Sequence, residues 1–133
     1  MNISSKSVLA FGVYLVGMGV GFVLMPNVLL GMLRFPPTDE VWSRMVGVLA
    51  LALAFYYIQA ARTELRPFLQ WTVYTRIAVF FAFVGFTVTG VAGPVMILLG
   101  SADLAGALWT EWALRKESQT VSGTLPKRAV AQR

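Results

Sequence analysis

Four charged side chains lie inside long apolar runs of this sequence: Arg44, Arg76, Asp103 and Glu111. A charge at the centre of a bilayer costs about 2.5–3.5 kcal/mol on insertion scales, so each such residue must meet a partner, water or a ligand. The set is complementary, two guanidinium donors and two carboxylate acceptors. Asp103 and Glu111 are eight residues apart, which keeps them within about 80° on one helical face. Ala107 between them leaves room for a long side chain. The helical rise places Arg76 about 10–12 Å from one end of its span and Glu111 about 5–6 Å from the same side. It places Asp103 about 12 Å, and Arg44 about 5 Å, from the other side. The expectation is a polar track through a helix bundle, in which Arg76 reaches Glu111 or Asp103 and Arg44 reaches Asp103. Two readings stand side by side. In one the charges are a structural clip that sets helix register, with Arg44 and Glu111 snorkelling to the interface. In the other they form a ligand or transport site.

The sequence has no Cys and no His. That excludes disulfides, thiol chemistry, iron–sulfur ligation, His-ligated haem and the usual zinc sites, so no metal is expected. General acid–base work would fall to Asp, Glu, Lys or Tyr. No phosphate-binding Gly loop, nucleophile elbow or EF-hand loop occurs, and no catalytic residue is assigned. Tyr56, Tyr57, Phe80 and Phe83 are candidates to line an apolar pocket for a lipid, a quinone or an aromatic hydrocarbon. The competing reading is that they pack or face lipid, as aromatics do without any ligand.

The elements that must position these residues are transmembrane helices. Of 133 residues, 57% are hydrophobic and 13% charged, against about 45–50% and about 25% in soluble domains. The net charge is +5, and the basic residues flank apolar runs, which suits an anionic membrane surface better than nucleic acid. Spans are expected at about 7–25, 41–61, 68–91 and 95–114. The first, ending at Pro26, reads as a retained helix rather than a signal peptide. Its Gly17 and Gly21 form a GxxxG pair suited to close helix packing. Residues 26–40 connect it to the second span, with a short amphipathic piece lying in the interface. Trp42 and Trp71 stand at span entrances as interfacial anchors. Residues 117–133 are polar and basic and are expected to form a disordered tail.

In this four-span plan Lys6, Arg62, Arg66, Arg115, Lys116, Lys127, Arg128 and Arg133 fall on one side, and Arg34 alone lies in the loops of the other. The positive-inside rule then puts both termini in the cytoplasm.

Several features of residues 40–115 taken together resemble known families: Trp42-x-Arg44, the Arg62-to-Pro67 turn, Trp71-Thr72-Val73 followed by Arg76, Asp103 followed by Ala107-Leu108-Trp109-Thr110, and Trp112-Ala113-Leu114. They resemble the small bacterial four-helix membrane proteins of the DoxX-like and BphX-like kind. That resemblance implies a bacterial inner-membrane protein, with links to aromatic degradation or to redox and quinone-linked complexes, and no catalytic residues to carry over.

The expected fold is all-α, a four-helix transmembrane bundle in one domain. The expected function is a non-enzymatic accessory or scaffold protein that binds a membrane partner, a second copy of itself or a hydrophobic small molecule. A bound lipid or quinone is the one cofactor-like group considered. The alternative is a small transporter or channel subunit using Arg44, Arg76, Asp103 and Glu111 as its pathway, and a membrane enzyme acting on a lipid or quinone comes third.

Overall fold

The computed structural model describes residues 1–124. Those residues form α1 (Ile3–Leu24), α2 (Pro26–Met32), α3 (Trp42–Arg62), α4 (Arg66–Val88) and α5 (Val95–Thr124). The described residues are all-α as expected, in five helices rather than four. The additional one, α2, lies in the connection between the first two expected spans and is seven residues long. Three helices, α1, α3 and α4, are long and apolar enough to cross a membrane. α5 is longer, at 30 residues, but Asp103 and Glu111 interrupt its apolar run. It continues past the expected end at Leu114, so residues 117–124 are helical and not an irregular tail. The remainder of the expected tail, 125–133, lies outside the described residues.

A backbone in hydrocarbon must satisfy its amides internally, which dictates helix for these runs. The hydroxyl residues follow the same logic. Thr75, Thr87 and Ser101 each donate to the carbonyl four residues back, on Trp71, Phe83 and Ile97, at 3.2, 3.0 and 2.7 Å. Pro26 opens α2 and Pro67 sits in the first turn of α4, where a missing N–H costs little.

Neighbouring helices run antiparallel. α1 packs along α3 from Gly12, beside Tyr57 and Ile58, to Gly19, beside Leu51 and the Gly47 carbonyl. A Cβ built on Gly19 would lie 2.9 Å from that carbonyl, and one on Gly47 2.8 Å from the carbonyl of Gly19. Close backbone approach through small residues is the usual means of helix association in lipid. The pair that achieves it here is Gly19 and Gly47, not the expected Gly17 and Gly21. Gly17 has nothing within 4 Å, and Gly21 meets the side chain of Leu29 on α2. The helical phase turns Gly17 away from α3.

α4 packs against α5, and α5 against α1. The backbones of α3 and α4, consecutive in the chain, stay apart, and the two helices meet through side chains, Tyr57 against Phe68 at 5.6 Å between ring centroids. The tightest core lies toward the end where α1 begins, where Val8, Ala61, Leu69, Val73, Ala107 and Leu114 are buried together. That end is also tied by polar contacts. Glu64 accepts from the Asn2 backbone and side-chain amides at 2.9 and 3.2 Å. Glu117 accepts from the Ser4 N–H and hydroxyl at 3.0 and 2.8 Å, and Arg66 lies 3.6 Å from it. Asn2 makes no side-chain cap for α1, so carboxylates from the α3–α4 turn and from α5 serve the otherwise orphaned first amides.

Candidate ligand cavity around Arg76

Arg76 lies near the middle of α4 and points inward, 4% exposed. Its guanidinium passes between α1 and α5. On the α1 side its Cζ is 3.7 Å from the centroid of the Phe11 ring. On the α5 side it fills the space that a side chain on Gly106 would need. A cation over an aromatic face gains about 0.5–2 kcal/mol, which falls short of the several kcal/mol that a buried ion loses on leaving water. The Nε and Nη1 atoms are buried with no hydrogen-bond partner. These are unspent donors.

Arg76 lines a cavity of about 490 Å3, open to one side, formed by residues of α1, α3, α4 and α5. Its walls are mostly apolar and aromatic: Phe11, Leu15, Tyr57, Phe68 and Trp71 surround Arg76. Asp103 lies on the same wall set. Its carboxylate is beyond 4.0 Å from any cationic nitrogen among the described residues, so Arg76 and Asp103 share a cavity without forming a contact pair. The hydroxyls of Thr72 and Thr75 are already committed to backbone carbonyls. A second cavity of about 290 Å3 shares Phe11, Leu15 and Asp103 with the first and extends past Phe22 and Phe83 toward the opposite end of the bundle.

The four expected polar residues therefore do not form one track. Arg76 and Asp103 converge. Glu111 pairs instead with Arg115 one turn away, at 2.6 Å, on the surface of α5. Arg44 sits at the far end, where it donates to the backbone carbonyl of Val23. A cation there serves the last carbonyls of α1 and the negative end of its dipole.

Among the expected aromatics, Tyr57 lines the first cavity and Phe83 the second. Phe80 packs on Gly100. Tyr56 points outward, 60% exposed.

Several cavity residues escaped the sequence reading, above all Phe11 and Leu15 of α1. A signal for them exists. Ser4, Ser7, Phe11, Leu15, Met18 and Phe22 recur at spacings of three and four, one face of a helix, and Ser7 meets the Thr110 hydroxyl at 2.6 Å.

No family model, curated protein or solved structure matches this chain.

Proposed function

We propose that this is a multi-pass protein of the bacterial inner membrane that holds a hydrophobic small molecule in the cavity around Arg76, without performing chemistry on it. In this reading α5 is a fourth crossing and both ends of the bundle's chain lie in the cytoplasm. The up-down-up-down helix order supports that count, because the start of α1, the α3–α4 turn and Glu117 of α5 meet at one end. The excess of Lys and Arg at that end supports the orientation. A reporter fused to the C-terminus should be active only in its cytoplasmic form.

The observation that carries the binding role is the buried Arg76, which lines an apolar cavity and keeps two donors without a partner. A cavity of a few hundred Å3 with apolar walls and a few placed polar groups suits a small molecule. A lipid or a quinone fits this description. The test is mass spectrometry of organic extracts from the purified protein. A molecule enriched over the bulk membrane, and lost in R76Q, is the expected result.

One observation favours a second reading. The two cavities that share Asp103 together run along much of the bundle, as a transport pathway would. Uptake into proteoliposomes that vanishes in D103N would establish it.

A further inference from the structure

We infer that the cavity selects an uncharged head group bearing a hydroxyl, an alkyl alcohol or a phenol, carried on an apolar body that enters sideways from the bilayer. This rests on the binding role proposed above and specifies its ligand.

The selection follows from the charges on the walls. Arg76 and Asp103 border the same space, one with donors and the other with acceptors, and they are not in contact. The cavity as a whole is balanced. An anionic head would satisfy Arg76 but leave a second carboxylate beside Asp103. A cationic head would satisfy Asp103 and repel Arg76. Burying one unmatched charge among apolar walls is costly. A hydroxyl accepts from Arg76 and donates to Asp103 at once, engaging both and adding no charge. A zwitterionic head would also be balanced, but its further donors and acceptors would need polar walls. Here the threonine hydroxyls have already given their donors to backbone carbonyls. The Tyr57 hydroxyl can donate or accept and does not discriminate.

The route follows from the helix arrangement. The backbones of α3 and α4 stay apart beyond the Tyr57–Phe68 contact. Leu53 and Trp71, one from each helix, line the cavity and are still 52% and 63% exposed. They flank a mouth on the side of the bundle, through which an alkyl body can remain in lipid while its head reaches Arg76.

The test uses the full chain in lipid nanodiscs, with Trp42, Trp109 and Trp112 changed to Phe so that Trp71 is the sole reporter. Dodecanol, dodecanoate and dodecylamine carrying a bromine at the sixth carbon, within reach of Trp71 when the head is at Arg76, are titrated at neutral pH, and quenching of Trp71 is read against an unrelated membrane protein. The alcohol should bind about tenfold or more tightly than either charged probe. D103N should shift the preference to dodecanoate and R76Q to dodecylamine. The rank order on the unaltered charges decides the matter even where a single variant fails to fold. Tightest binding by dodecanoate or dodecylamine overturns the inference about the head group while leaving the binding role intact. Saturable quenching by none of the three overturns both.

Discussion

The guanidinium of Arg76 occupies the space that a side chain on Gly106 would fill. The two residues are on different helices, so α5 is notched where α4 inserts its charge. This turns an otherwise unremarked glycine into the residue that sets where the cation sits. Without the notch Arg76 would have to withdraw from Phe11 or push α5 away.

G106A should therefore be unfavourable, although Gly to Ala within a helix ordinarily stabilises by about 0.5–1 kcal/mol. Overpacking of a filled site costs about 1–3 kcal/mol. We expect a net loss in thermal stability and weaker binding of the alcohol probe, with no charge altered. G85A on α4 is the control, since nothing lies within 4 Å of a Cβ there. It should be neutral or slightly stabilising. Thermal unfolding in one detergent compares the two, and a G106A protein as stable as G85A would show that Arg76 has room elsewhere.

The α1–α3 interface gives a second contrast. G19V places branched methyls against Leu51 and the Gly47 carbonyl and should cost about 1–3 kcal/mol or prevent folding. G17V points into open space and should stay within about 0.5 kcal/mol of the parent. Yield of monodisperse protein and the unfolding midpoint distinguish them. A G17V protein damaged as badly as G19V would place the interface on the other glycine face.

That contrast indicates what was legible in the chain. Apolar runs and prolines located α1, α3 and α4 to within a few residues, because a bilayer imposes length and hydrophobicity. They could not set helical phase. In lipid both the packed face and the outer face are apolar, so hydrophobicity does not separate Tyr57 from Tyr56 or Gly19 from Gly17. Polar and small residues mark the inner face better, as the buried Ser4, Ser7, Gly12 and Gly19 do on α1. Arg76 and Asp103 were legible for the same reason, because neither can be left in hydrocarbon. Glu117 was not, since a carboxylate in a polar stretch resembles any solvated residue until Ser4 is brought to it.

Glu111 and Glu117 should behave oppositely. Glu111 holds Arg115 one turn away at the helix surface, and exposed pairs of this spacing contribute about 0.3–0.5 kcal/mol. E111Q should leave stability and probe binding nearly unchanged, which also separates it from the Arg76 site. E117Q weakens two hydrogen bonds to Ser4 and the approach of Arg66. Hydrogen bonds to charged groups are worth about 1.5–3 kcal/mol, so E117Q should lower the unfolding midpoint clearly. Equal effects from the two substitutions would mean that the Ser4 contact carries no stability.

Truncation tests the same contact from the backbone side. A chain ending after Thr124 keeps all of α5 and its contact with Ser4, and should unfold with the parent. A chain ending after Lys116 loses Glu117, leaving the Ser4 amide at the start of α1 without its acceptor. That amide then needs water, and the Arg66 side chain loses its carboxylate. Fraying should begin at the first turn of α1 and spread toward Ser7, whose hydroxyl meets Thr110. Hydrogen exchange read by mass spectrometry should show faster exchange in the segment from Ile3 to Val8 of the shorter chain, with the centre of α4 unaffected. Equal protection in both chains would assign the anchoring of α1 to Glu64 and Asn2 alone.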